Sequence, residues 1–420
     1  MSPDGPRPYH INCFVTGQVP EKEGNMGTLL EQARSEQAYL SDLRRELHRC
    51  PELAMQETRT AAVIERELDR LDIPHTRIGP TGVLGVLRGT GTGGGTVALR
   101  ADIDALPIQE ANDVEYRSQT DGVMHACGHD AHTAALLGAA GLLARNRHRF
   151  GGEVRLIFQP GEETGQGAPD FLAAGALEGV ERIFGLHGTP LYPVGTVGIT
   201  PGLNNAAVDH FRIVVQGKSA HVSAPQLGAD ALYAASQIVV AVQGLAARRI
   251  SPVEPVVLGI GKLTAGTAYN AVAASAELEG TTRTISQETR MQVRAWIDQV
   301  AEQTARFSGA EARVIWTDVT SALINDPQVC REAAQAAREL DDTLTIVTDQ
   351  PFSLGGDNFA EYQRLVPGCY AHVGTADPDR PGTQNGLHTV NFDLDETALP
   401  LAAGLYAGYA LWWLRERDGK

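Results

Sequence analysis

Cysteine is scarce in this sequence: five residues in 420, at positions 13, 50, 127, 330 and 369, with no Cys-x-x-Cys spacing. An odd, scattered set excludes a disulfide framework and points to a reducing compartment, the cytoplasm. Long apolar runs are missing too. None approaches the roughly 20 residues needed to span a bilayer, so no membrane association is expected. Positive charge is in deficit, with 35 Lys and Arg against 51 Asp and Glu and a net charge of −16. Without a basic stripe, nucleic acid is excluded as a partner. Residues 1–27 lack the basic start and apolar middle of a secretory signal; rich in Pro, Gly and charge, they read as a mobile tail, with Met26 as the natural start. Internal repeats and low-complexity tracts are also lacking.

What remains is 43% apolar and 20% charged, the balance of a globular protein. At 420 residues the chain exceeds one ordinary hydrophobic core, which predicts two domains. Chemistry concentrates in His125-Ala-Cys127-Gly-His129-Asp130-Ala-His132-Thr133, where three imidazoles, a thiol and a carboxylate precede the apolar run 134–143. That places a polar cluster where a loop becomes a buried helix. A helix N-terminus favours an anion such as a thiolate, which makes Cys127 a candidate metal ligand or nucleophile. Cys127 and His129, two apart, suit a tight turn that aims both side chains at one ion.

Around that stretch the periodicity predicts helices near 40–48 and 58–71 and strands at 83–87 and 96–100. The glycine-rich segment 89–95 leads from strand to strand, whereas a phosphate loop leads from strand to helix, so a nucleotide site is rejected. The 96–100 strand delivers Asp102 and Asp104 at its carboxyl end, as ligands, as supports of a ligating histidine, or as loop caps. A buried strand 154–159 runs into Pro160-Gly161-Glu162-Glu163. One of those carboxylates can bind a metal while the other handles protons, the alternative being a solvated acidic turn. Strand 182–186 is expected to end at His187, a ligand or a structural histidine. Three successive strands thus end in Asp-x-Asp, Glu-Glu and His.

From 209 the pattern becomes strand 211–215, helix 230–247, strands 255–263 and 274–283, helix 286–307 and strand 312–317. That βαββαβ order is ferredoxin-like and reads as one domain inserted into another. Helix 327–340, a short apolar strand, strand 368–373 and helix 395–416 complete the chain, with Trp412 and Trp413 assigned to core or interface.

Five ordered motifs carry a family resemblance: Leu47-His48-x-Cys50-Pro51-Glu52-Leu53, Leu99-Arg-Ala-Asp-Ile-Asp-Ala-Leu-Pro107, Met124-His-Ala-Cys-Gly-His-Asp130, Phe158-Gln-Pro-Gly-Glu-Glu163 and Gly185-Leu-His187. The chain resembles the aminoacylase and carboxypeptidase-G family of metallopeptidases, in its amidohydrolase branch, over nearly everything after residue 28. The resemblance implies an α/β fold: a mixed-sheet, zinc-peptidase-like catalytic domain (28–206 and 319–420) with an inserted ferredoxin-like lid and dimerisation domain (207–318). It implies two divalent ions per subunit, Zn, Mn, Co or Ni, held by Cys127, His129, Glu163, His187 and His388 with the sulfur bridging. Glu162 is then the general base and acid, and Asp104 fixes a ligand imidazole. The lid's Gly217-Lys-Ser-Ala-His221 segment supplies an imidazole to the other subunit of a homodimer. Asn270 and Arg283 match positions near the substrate's carboxylate. The implied reaction is hydrolysis of N-acyl-amino acids or similar small amides; a dipeptidase or carboxypeptidase, or a non-catalytic ligand-binding relative, are the other readings. Two departures border the substrate. Asn270-Ala-Val-Ala stands where relatives usually have Asn-Val-Ile-Pro, and Gly356-Asp-Asn-Phe359 where they usually have Ser-Glu-Asp-Phe.

Overall fold

The computed structural model describes residues 26–92 and 94–416. The tail read over 1–27 lies outside the described residues except for Met26 and Gly27. There a helix already begins: α1 (Gly27–Ser35) packs Leu29, Leu30 and the 3%-exposed Met26 into the main core. Helices α2 (Gln37–Arg49) and α3 (Thr58–Arg70) follow, then strands β1 (His75–Ile78), β2 (Gly82–Arg88) and β3 (Thr96–Asp102). Helix α4 (His129–Arg145) leads to β4 (Glu153–Gln159), the short α5 (Gly167–Ala173), and strands β5 (Arg182–Pro193), β6 (Thr196–Gly198) and β7 (Gly202–Asn205).

The next segment is strand β8 (Ala207–Gln216), helix α6 (Ala231–Arg248), strands β9 (Val256–Ala265) and β10 (Ser275–Thr284), helix α7 (Gln287–Phe307) and strand β11 (Glu311–Thr320). The chain then closes with β12 (Leu323–Asn325), α8 (Pro327–Leu340), β13 (Thr345–Val347), α9 (Phe359–Gln363), β14 (Gly368–Ala376) and α10 (Leu399–Glu416).

Local chemistry sets several of these boundaries. The Asp230 carboxylate accepts the Leu232 and Tyr233 N–H groups at the head of α6, Ser286 caps α7 through Thr289, and Asp326 caps α8 ahead of Pro327.

The chain is a mixed α/β protein. Eight strands form one mixed sheet in the order β1-β2-β4-β3-β5-β14-β6-β13, with β4, β3, β5 and β14 mutually parallel. Parallel strands are buried on both faces, and α4 shows it: every residue from His129 to Leu143 is buried, because the sheet lies on one side and α10 on another. A second sheet, antiparallel in the order β11-β8-β10-β9, carries α6 and α7 on one face over the core of Phe211, Ile213, Leu278 and Ile297.

The two sheets meet where the chain crosses between them. The Ala206 N–H reaches Ser353 O at 3.0 Å, the Thr320 hydroxyl donates to Asp357 O at 3.1 Å, and Gly356 sits so close to Val208 and Thr320 that a Cβ there would lie 2.6 and 2.7 Å from their methyls.

One expectation is corrected. His187 does not end its strand; β5 runs on to Pro193, because β14 keeps pairing with it through Gly188–Val373 and Gly374 opposite Thr189.

Candidate metal centre

The carboxyl edge of the large sheet gathers the titratable groups. Asp102 is the last residue of β3, Glu162 and Glu163 follow β4, and His187 lies in β5. Between β3 and β4 the chain makes the loop that ends at Gly128, which adopts a left-handed conformation (φ 87°) as it opens α4. L-residues avoid that torsion and glycine does not. The turn brings the ligating atoms of Cys127, His129 and His187 within 4.8 Å of one another. His388, itself at φ 62°, joins from the last long loop, which is tied beside Cys127 by the His388 N–H to Ala126 O at 2.8 Å.

Two groups of potential donors overlap at one sulfur: Cys127 with His129 and His187, and Cys127 with Glu163 and His388. Cys127 Sγ is 3.4 Å from His187 Nε2, and His388 Nε2 is 3.2 Å from Glu163 Oε1. His129 Nδ1 is 3.0 Å from the main-chain oxygen of Asp104, which aims Nε2 into the cluster. That Nε2 is buried and has no hydrogen-bond partner. Stranding a buried ring nitrogen is costly unless something else meets it.

Asp104 holds the opposite wall as well. Its two carboxylate oxygens accept the main-chain N–H groups of Glu162 and Glu163, each at 3.0 Å, and so fix the Glu-Glu turn. The adjacent glutamates then diverge electrostatically. Burial, with the carboxylates of Asp357 and Glu163 next, holds Glu162 well above the usual carboxylate range. Glu163 is pushed up by burial as well, yet its hydrogen bond with His388 and the charges of His129 and His388 bring it below its ordinary value. Neighbouring carboxylates with opposite shifts suit one proton carrier and one standing anion. Burial and the Glu163 carboxylate push the Cys127 thiol up, against the expectation that the helix N-terminus would favour a thiolate; only a nearby cation reverses such a penalty.

Behind the cluster lies a further layer, in which Asp102 supports a histidine, one of the three roles its place at the strand end left open. His132, one turn into α4 on the face of His129, has Nδ1 2.6 Å from Asp102 Oδ1 and accepts the Gly188 N–H at Nε2, 2.8 Å away. Asp102 takes Arg100 Nη1 at 2.7 Å. Arg100, with no exposed surface, also reaches Asn358 Oδ1 at 2.9 Å and lies 3.5 Å from Asp357. The i,i+3 spacing of His129 and His132 was the available signal for His132. Nothing local signals a partner 258 residues away.

The remaining expected residues lie in the smaller sheet's unit. His221 and Asn270 are exposed neighbours: His221 bridges to Ala271, Val222 N–H donates to Asn270 O at 3.1 Å, and His221 Nδ1 is 2.7 Å from the Ser223 hydroxyl. A cavity of about 480 Å³ adjoins them, lined by Val222, Leu232, Tyr269 and Ala271. Arg283, near the end of β10, pairs in register with Val208, the residue against which Gly356 packs. It is partly buried, its guanidinium is lowered by burial alone, and no carboxylate among the described residues pairs with it. Among those residues no hydrogen bond or ion pair joins His221, Asn270 or Arg283 to the metal cluster.

Comparison with known proteins shows the family. A model described as Peptidase family M20/M25/M40 matches residues 98–412. N-acetylcysteine deacetylase of Bacillus subtilis is 41% identical over 377 residues, 89% of this chain and 96% of that protein. Thermostable carboxypeptidase 2 of Saccharolobus solfataricus is 38% identical, over 89% of this chain and 95% of its own length. The crystal structure of the YXEP protein of Bacillus subtilis, described as a dinuclear metal binding peptidase from the M20 family, superposes with a TM-score of 0.77 at 38% identity, covering 91% of this chain and 99% of that one.

Proposed function

The chain belongs to peptidase family M20/M25/M40, and on that premise we propose that it is a metal-dependent amidohydrolase acting on N-acyl-amino acids or similar small amides. The products are a carboxylic acid and a free amino acid. One observation carries this reading: five donors from four separate segments converge beside a second, partly buried glutamate, Glu162.

The donors fit a pair of divalent ions. The orphaned His129 Nε2 faces the cluster, and thiolate with imidazole and carboxylate suits Zn, Mn, Co or Ni. His129 and His187 would serve one ion, Glu163 and His388 the other, and Cys127, common to both groups, would lie between them. When bound, such ions polarise a scissile carbonyl and acidify the attacking water to a pKa of roughly 7. Glu162, held beside the donors by Asp104 and the Asn358 N–H, would take the attacking water's proton and return it to the departing amine. Asp104 keeps both glutamates in place through their backbones, and through its own carbonyl it keeps His129 turned inward.

The smaller unit acts as lid and dimerisation domain. Arg283, a cation without a carboxylate, receives the substrate's carboxylate together with Asn270. His221, exposed on its own subunit, completes the site of a second copy by stabilising the oxyanion. The dimer is supported by the outer strand β9 and the exposed Leu232, Tyr233 and Val240 of α6. The cytoplasm is the proposed compartment.

A carboxypeptidase activity is the second reading, favoured by the Saccharolobus relative's name. Metal analysis of the purified protein, with turnover of hippurate, acetyl-amino acids and indoleacetyl conjugates set against dipeptides, separates the two. Faster hydrolysis of the acyl-amino acids is expected. Dipeptide turnover without acyl-amino-acid turnover would move the chain to the second reading, and tight binding without turnover under any metal supplement would make it a non-catalytic relative.

A further inference from the structure

Glu162 is fixed from two sides. On one, Asp104 takes its N–H; on the other, the Asn358 main-chain N–H points at Glu162 Oε1, 3.3 Å away. The segment that presents this second N–H is held unusually firmly for a loop. The Asp357 carboxylate accepts the Tyr370 hydroxyl and, at 2.7 Å, the Phe359 N–H, while the Asp357 carbonyl takes the Thr320 hydroxyl at 3.1 Å. Asn358, 1% exposed, is clamped through its side-chain oxygen alone, by Arg100 Nη2 at 2.9 Å and Gln159 Nε2 at 2.8 Å. Its Nδ2 is buried with no partner. The carboxamide therefore works as an acceptor, and its donor end contributes nothing to the network.

Arg100 and Gln159 both belong to the parallel strands that end in Asp102 and in the Glu-Glu turn. Arg100 also holds Asp102, which holds His132. One guanidinium thus sets the distance between the wall carrying the imidazoles and the loop facing Glu162.

We infer that Asn358 is a positioning residue for Glu162: its side-chain oxygen, clamped by Arg100 and Gln159, fixes the backbone whose N–H orients the carboxylate that carries the proton. This rests on the reading of Glu162 given above. A carboxylate at 358 would accept from the same two donors, so the position requires an acceptor oxygen of this length and not an amide. The resemblance noted earlier, with Asp usual in relatives at this place, is compatible with that requirement.

The test is steady-state kinetics on the metal-loaded protein, with metal content and thermal unfolding measured alongside. Asn358→Leu keeps the volume and the N–H but removes the acceptor; kcat is expected to fall about ten- to a hundredfold with KM changed by less than about threefold and metal content unaltered. Asn358→Asp restores the acceptor and should return kcat to within about threefold of the parent. Leucine and aspartate variants losing activity equally, a leucine variant within about twofold of the parent, or a loss that tracks loss of metal would each overturn the inference. Should the leucine variant not fold, Gln159→Met removes one clamp at nearly constant volume: a fall in kcat of about fivefold supports the inference and an unchanged kcat overturns it. Glu162→Gln with parental activity would instead remove the proton carrier itself, so the two failures are told apart.

Discussion

Under the carboxyl edge of the large sheet, Arg44, Arg100, Asp102, Asp104 and Asp130 are at most 1% exposed, and all are paired or hydrogen-bonded within the chain. In the four-stranded unit the pattern is inverted. Apart from the buried Asp209–Arg290 pair, at 2.6 Å, its ion pairs, such as Arg212–Glu277, Lys262–Glu279 and Arg306–Glu302, lie on exposed faces of its strands and of α7, Arg283 has no carboxylate among the described residues, and Leu232, Tyr233 and Val240 stand 48, 50 and 68% exposed. In the first region these five charges are held by partners within the chain, and the unmet His129 Nε2 faces the donor cluster. The second leaves a cation and an apolar face open, which on the function proposed above would take an anion and an apolar neighbour.

Perturbing the first region should therefore affect the chemical step, and perturbing the second should affect what it lends to a substrate or to a second copy, His221's part in the chemistry included. The largest effect is expected for Glu162→Gln, which should lower kcat by about 10³-fold with metal content unchanged. His221→Ala should cost about 10²- to 10³-fold, but mixing these two inactive proteins should restore part of the activity, since in the proposed dimer each hybrid would hold one intact site. Stable mixed dimers with no recovery would show that the regions do not complete each other across subunits.

Arg283→Ala should act on the other side of the contrast, raising KM about ten- to a hundredfold at a kcat near the parent's, as loss of a charge-assisted bond to substrate requires. A kcat collapse without a KM change would place Arg283 among the chemical groups.

The smallest effect concerns the closed region's tolerance of protons. His125 is 1% exposed, neither ring nitrogen has a hydrogen-bond partner, and burial first, with His48 among the opposing charges, lowers its pKa to about 3. Below the ordinary value of about 6.5 the unfolded chain takes up a proton that the folded chain refuses. The associated stability is full above pH 6.5 and drains away as pH falls toward 3, by about 1.4 kcal/mol per unit. Between pH 7 and 5 the parent should lose about 2 kcal/mol more than His125→Leu, read by denaturant unfolding. Equal losses would mean that this ring is solvated in the folded state.

The same contrast explains what the amino-acid order disclosed. Helices α6, α7 and α8 begin within a residue of expectation, because Asp230, Ser286 and Asp326 cap them locally. The extension of β5 beyond His187 was hidden: Pro190 and Pro193 cannot donate to a strand ladder, and pairing with β14 is what makes that segment a strand. Helix α1 was hidden by its flanking composition, although its burial against α10 is tertiary in origin. Cys127 and His129 announced themselves by crowding within one short stretch. His388 and Arg283 entered through the family resemblance alone, since an isolated histidine in a loop and an arginine on a strand carry no local signal. Arg100, Asp357 and Asn358 stood inside the quoted motifs, but their joint role was hidden for a plainer reason: it lies in contacts that span hundreds of residues.

Gly128 supplies a last consequence. A Cβ added there would meet Phe392, His132 and Leu394 at 3.6 to 3.8 Å, which is ordinary contact, so bulk does not reserve the site for glycine. The φ of 87° does. The torsion thus costs one handedness roughly 1–2 kcal/mol and its mirror image nothing: a D-alanine introduced by chemical synthesis matches it, whereas L-alanine strains the turn that sets the sulfur beside the imidazole.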